Sequence, residues 1–125
     1  MASPDDRRYS QTHEWYKPDG ELVTVGISQF AVDELTDITF LEILTPEGQL
    51  GKGEAFGEIE SVKATSEVYS ALDGEVVAVN QEALDNPAIL NEDPYDKGWL
   101  IQVRPSDPAQ LEALMTAEQY DQQQS

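Results

Sequence analysis

Gly57-Glu58-Ile59-Glu60-Ser61-Val62-Lys63-Ala64-Thr65-Ser66-Glu67-Val68-Tyr69 reads as two β-like runs that turn near Lys63 and Ala64. The same texture continues outward in both directions. His13 to Tyr16, the β-branched run Glu21 to Ile27, residues 38–44, Ala55 to Val62, Glu75 to Val79 and Trp99 to Val103 all read as strands. Turn chemistry separates them: Lys17-Pro18-Asp19-Gly20, Thr45-Pro46-Glu47-Gly48 and the pair Asp73-Gly74. Short strands recurring about every 8–12 residues predict a mainly β chain, a sandwich or barrel with small helical additions.

The helical additions are marked by caps. Ser28 is the expected N-cap of a short helix whose apolar members are Phe30, Ala31, Val32 and Leu35. Asn80 is expected to cap another through Leu84, and Asn86-Pro87 and Asn91-Glu92-Asp93-Pro94 read as loops. Asp107 as N-cap, Pro108 at the first position and Gln110 answering the cap predict a C-terminal helix with Leu111, Leu114 and Met115 on one face.

The chain of 125 residues is 39% hydrophobic, which supports one modest core. The expected organisation is a flexible segment at 1–8, one domain over 9–120 and a frayed tail at 121–125. Cysteine is absent, which excludes disulfides, thiolate metal sites and a cysteine nucleophile. Against 25 acidic residues stand seven Lys and Arg, for a formal charge of −18. Such a chain is repelled by phosphate backbones and by anionic membrane surfaces, so neither nucleic acid nor a membrane is expected as a partner. No apolar run reaches the length of a membrane span, and residues 1–8 carry no h-region and read poorly as a transit peptide.

Little in the sequence suggests autonomous catalysis. His13 is the one histidine and reads as a structural side chain at a strand end; no metal cluster is expected. No Gly-x-Ser-x-Gly elbow occurs, and carboxylates are too numerous for one pair to stand out. Gly51-Lys52-Gly53 lacks the ending of a phosphate-binding loop. Lys63 is one of four lysines. A lysine amine at an exposed turn is almost wholly protonated at neutral pH and is a poor nucleophile, whereas a catalytic lysine is desolvated. Small neighbours (Ser61, Ala64, Thr65, Ser66) leave space for another protein to grip the loop. From position alone, Lys63 is either a solvated hairpin lysine, the simpler reading, or a tether acylated by a second enzyme.

Glu60-Ser61-Val62-Lys63-Ala64, followed by Ser66-Glu67 and Gly74-Glu75-Val76, closely resembles the lipoyl-attachment segment of glycine cleavage system H proteins. His13-Glu14-Trp15, Val25-Gly26-Ile27 and Asn91-Glu92-Asp93-Pro94-Tyr95 with Gly98-Trp99-Leu100 resemble other signatures of that family, so the likeness runs from about Tyr9 to Tyr120. The resemblance implies a barrel-sandwich hybrid of two antiparallel sheets with short helices and a C-terminal helix. It implies a carrier rather than an enzyme, with lipoic acid held covalently on Lys63. It further implies service in glycine catabolism and one-carbon metabolism. The partners would be glycine decarboxylase (P protein), aminomethyltransferase (T protein), dihydrolipoamide dehydrogenase (L protein) and a lipoyl ligase or octanoyltransferase. A monomer is implied, cytoplasmic as in bacteria, or in an organelle matrix if a presequence has been removed.

By the same resemblance, Glu14 is the carboxylate that pairs with the amine carried on the arm, and Thr12 and Glu67 line the same cleft, where relatives often have Ser and Asp. The chain departs from the family pattern at Leu35-Thr36-Asp37, where a glycine usually ends the helix, and at Glu34, often histidine. Leu44 stands in place of a usual proline, with the turn glycine displaced to Gly48. The alternative function is an H-like relay that supplies lipoyl groups to 2-oxoacid dehydrogenases. A biotin carrier would flank the lysine with methionines rather than Val62 and Ala64. An isolated lipoyl domain would lack the His13-Glu14-Trp15 and Asn91-to-Trp99 segments. A free-standing enzyme would have to rely on Glu14 and His13.

Overall fold

Among residues 3–124, which the computed structural model describes, nine strands lie in two antiparallel sheets. The larger sheet runs β1 (Arg8–Tyr9), β2 (Glu14–Asp19), β3 (Leu22–Ile27), β9 (Ile101–Pro105), β8 (Gly74–Val79), β5 (Gly48–Leu50), in that spatial order. The smaller contains β4 (Ile38–Ile43), β6 (Ala55–Ser61) and β7 (Thr65–Tyr69). Both contribute to one core: Val23, Val25, Val76 and Val103 from the larger, Leu41, Ile59 and Val68 from the smaller. The mainly β reading therefore holds, as a sandwich, and no closed barrel forms among the described residues.

Alternation is regular in β3, where Val23, Val25 and Ile27 are buried, and irregular in β4 and β6. Ile38 and Leu41 are both buried although three residues apart, because the register shifts between Ile38 and Phe40. A second shift, between Ala55 and Gly57, lets Phe56 and Ile59 share the core side. An extra residue in a strand reverses which face the following side chains occupy. Pro18 is tolerated within β2 because it lies beyond β1, which pairs only as far as Tyr16. Opposite Trp15, position 26 must be glycine, since a Cβ there would enter the indole ring.

Five short helices complete the described chain. α1 (Gln29–Leu35) starts at Ser28 as expected, with Ser28 Oγ accepting from Ala31 N at 3.3 Å. It ends at Thr36, which adopts φ 63°. α2 (Gln81–Asp85) follows Asn80, but the Asn80 side chain does not cap it: Nδ2 donates to the Lys97 and Trp99 carbonyls instead. The 86–94 loop contains a further turn of helix, α3 (Ile89–Glu92).

The single C-terminal helix expected from the sequence is two helices, α4 (Ala109–Glu112) and α5 (Ala117–Gln124). Between them Met115 exchanges backbone hydrogen bonds with Tyr9 and forms a β-bridge. Gln110 does not answer a cap; it donates to Asp73 Oδ2 and accepts from Asp73 N. α5 returns Tyr120 to a second cluster with Tyr9, Trp15 and Ala117, the Tyr9 and Tyr120 rings stacked at 4.8 Å. The segment before Tyr9 is engaged there too. Arg7 is buried, with its guanidinium 4.6 Å from the Trp15 ring and Nη1 donating to the Tyr95 carbonyl. Ser3 donates to Asp121 from both N and Oγ. Residues 121–124, expected as tail, continue α5, while positions 1, 2 and 125 lie outside the described residues.

Candidate functional site

The β6–β7 ladder ends at Glu60↔Thr65, and the chain reverses over the next four residues. One hydroxyl organises that reversal. Ser61 Oγ accepts from Lys63 N at 3.2 Å and Ala64 N at 3.0 Å, and donates to the Ala64 carbonyl at 3.1 Å. Ser61 N donates to the same carbonyl at 2.8 Å. Serine at this position satisfies amides that a tight turn would leave to solvent. Val62 N reaches outside the hairpin, to the Asp37 carbonyl at 3.0 Å. Residues 62–67 are exposed, Val62 by 69%. Among the described residues Lys63 takes part in no ion pair. The amine is thus presented to solvent on a loop whose backbone is fixed.

The outer face of this hairpin is acidic. Glu42, Glu58 and Glu67 stand directly opposite one another across β4, β6 and β7, and Glu60 lies opposite Phe40. Like charges placed so cost stability rather than supply it.

At the far end of β7 lies a second group of polar residues. Glu14, the first residue of β2, is 1% exposed. Its Oε1 accepts from Ser10 Oγ at 2.6 Å and from Thr12 Oγ1, and its Oε2 accepts from Tyr69 N at 3.1 Å. Burial pushes the Glu14 carboxyl above the ordinary glutamate range, against the lowering effect of those donors. Tyr16, two residues along the same strand, also reaches β7. Its hydroxyl donates to the Tyr69 carbonyl at 3.1 Å and accepts from Ala71 N at 2.9 Å.

Of the residues singled out by sequence, Glu14 and Thr12 are therefore in direct contact. Glu67 joins neither by a hydrogen bond among the described residues; it is exposed on β7, two residues before the Tyr69 amide that Glu14 holds. Lys63 sits apart, in the turn before β7, whose Thr65–Tyr69 span of about 13 Å at ~3.3 Å per residue separates that turn from Tyr69. Ser10 and Tyr16 were not anticipated. The signal for Tyr16 was its place at i+2 from Glu14, on the same face of one strand; nothing local points to Ser10.

His13 takes a structural role. It adopts φ 74°, its Nδ1 lies 2.7 Å from the Tyr120 hydroxyl, and its ring packs against Phe30 at 4.5 Å. The Tyr120 hydroxyl also meets Ser28 Oγ at 2.6 Å, which joins the start of α1 to α5. Burial lowers the His13 pKa, with Glu34 opposing. This favours a neutral ring shared with Tyr120. Glu34 acts on His13 at a distance through its charge.

The family model described as Glycine cleavage H-protein matches residues 7–125. The glycine cleavage system H protein of Anoxybacillus flavithermus is 50% identical over 122 residues, covering 98% of this chain and 96% of that protein. The one from Staphylococcus saprophyticus is 45% identical over 122 residues, covering 98% and 97%. The crystal structure of a glycine cleavage system H protein from Mycobacterium marinum superposes with a TM-score of 0.89 at 37% identity, covering 98% of each chain.

Proposed function

Because this chain belongs to the glycine cleavage H-protein family, whose members carry lipoate and are not enzymes, we propose that Lys63 is the residue that bears the lipoyl group. The observation that carries this reading is the exposed Lys63, in no ion pair among the described residues, on a turn fixed by Ser61. An attachment point needs access for a modifying enzyme, and residues 62–67 supply it. It also needs a backbone that stays in place while the side chain swings, and the bonds around Ser61 supply that. When bound, the lipoyl group supplies a dithiolane that accepts the aminomethyl unit of glycine.

Glu14, Thr12 and Glu67 form the cleft that shelters the carried amine. A carboxylate offers about four lone-pair sites. Three donors already face Glu14, two at Oε1 and one at Oε2, so one site on Oε2 remains for a cationic amine. Such a bond is strong where water is excluded, and Glu14 is buried. Thr12 and Ser10 orient the carboxylate from the other side. Glu67, on β7 between the Lys63 turn and Tyr69, adds negative charge along the path between the two.

The chain works with the enzymes of glycine cleavage. Its specific partners on this reading are the P, T and L proteins together with a lipoyl ligase or octanoyltransferase, each met by a monomer that docks transiently. No helix of the described residues is long and apolar enough to cross a membrane, and the setting that fits the bacterial relatives is the cytoplasm. The lipoyl-relay alternative has no observation in its favour. The test is glycine-dependent CO₂ exchange with a P protein. Lipoylated wild-type protein supports exchange and Lys63→Arg does not; exchange sustained by Lys63→Arg would remove the lysine from its role.

A further inference from the structure

We infer that Asn91 is a positioning residue for the lysine-bearing hairpin, acting through the backbone of residues 36–38. Asn91 lies in α3, remote from the hairpin in sequence. Its side chain grips both ends of a three-residue segment: Nδ2 donates to the Thr36 carbonyl at 2.6 Å, and Oδ1 accepts from Ile38 N at 2.9 Å. Between these two anchors lies Asp37, whose carbonyl accepts from Val62 N at 3.0 Å. Val62 immediately precedes Lys63.

The segment needs such a grip. Thr36 closes α1 at φ 63° and ψ −133°, a conformation that β-branched residues resist. Left alone, that residue gains by rotating away, and the rotation would carry the Asp37 carbonyl with it. The Asn91 amide opposes this by matching one donor and one acceptor to the carbonyl and N–H on either side of Asp37. An asparagine suits the task because both functions are needed at once.

The inference rests on Lys63 as the attachment point only for its consequence, not for the grip itself. Amide exchange followed by NMR on the unmodified protein tests the grip. Asn91→Ala should raise the exchange rate of the Val62 amide by about tenfold through local opening, with Lys63 and Ala64 following. Asn91→Asp keeps the acceptor for Ile38 N but sets a carboxylate oxygen against the Thr36 carbonyl, so it should speed Val62 exchange at least as much as Asn91→Ala. Asp37→Ala should leave the rate unchanged, because the contact uses the carbonyl of residue 37 and not its side chain. Val103→Ala, a core change in β9, controls for general destabilisation and should not single out residues 62–64.

The consequence is read in lipoylation kinetics, where Asn91→Ala should raise the KM of a lipoyl ligase for this protein severalfold with kcat little changed. Val62 exchange in Asn91→Ala equal to that in a Val103→Ala protein of matched stability would overturn the grip. Faster exchange with an unaltered KM would overturn its relevance to modification. Failure of Lys63 to be modified at all would instead count against the assignment of the attachment site.

Discussion

Glu14→Gln separates the two forces that act on the buried carboxylate. All three of its neighbours donate: Ser10 Oγ and Thr12 Oγ1 to one oxygen, Tyr69 N to the other. Glutamine keeps an oxygen for the two hydroxyls but turns an NH₂ toward the Tyr69 N–H. A buried donor left facing a donor costs about 1–3 kcal/mol. Against this, glutamine never carries the charge whose burial raises the Glu14 pKa.

The two effects part with pH. The folded-state pKa of Glu14 lies above the unfolded value, so the favourable contribution of this group is complete below the ordinary glutamate range and is lost as pH rises through the folded value. Wild type should therefore exceed Glu14→Gln in stability by about 1–3 kcal/mol near pH 4, and the advantage should shrink as pH rises toward 8. Urea denaturation of both unlipoylated proteins across that range measures the difference directly. An advantage that grew with pH would mean the carboxylate is stabilised in its charged form, and would refute the account of the site. Once an amine is carried on the arm the balance reverses. Loss of one charge-assisted bond worth about 1.5–3 kcal/mol should release it roughly 10- to 100-fold faster from Glu14→Gln.

Thr36→Gly should stabilise the protein by about 1 kcal/mol, since relief of roughly 1–3 kcal/mol of backbone strain outweighs the 0.5–1 kcal/mol of added freedom in the unfolded glycine chain. Calorimetry should show Tm rising by about 3–6 °C; a fall would mean Thr36 carries no strain. Ser61→Ala removes an acceptor for two amides at an exposed turn. Its cost to global stability should stay under about 1 kcal/mol. The Lys63 and Ala64 amides should nonetheless exchange severalfold faster, and unchanged exchange there would show that the turn does not depend on the hydroxyl.

Features legible in the sequence were those fixed by neighbours. Ser28 caps α1 through a contact three residues away, and the chain reverses near Lys63 and Ala64 within four residues. Both follow from local chemistry, so residue types in order were enough. Tertiary contacts overrode the local reading elsewhere. Asn80 is placed to cap α2, yet Nδ2 gains more by bridging two carbonyls of the 97–99 segment. The helix expected over the C-terminal region stops because Met115 is drawn into a bridge with Tyr9, more than a hundred residues earlier.

The polar group around Glu14 divides along the same line. Glu14 and Thr12 were named through a family likeness, and their contact spans two residues. Ser10 escaped notice because serine four residues before a glutamate carries no pattern. Tyr16 escaped because its partners, the backbone at Tyr69 and Ala71, are 53 and 55 residues away. The strand shifts in β4 and β6 were also hidden: an extra residue breaks the alternation that would have revealed which face is buried.

The most direct test of the account is intact-mass measurement and peptide mapping after incubation with lipoate, ATP and a lipoyl ligase. Wild-type protein should gain one lipoyl group, mapped to Lys63, and Lys63→Arg should gain none. A lipoyl group at another lysine, or no addition under conditions that modify a control carrier, would contradict it.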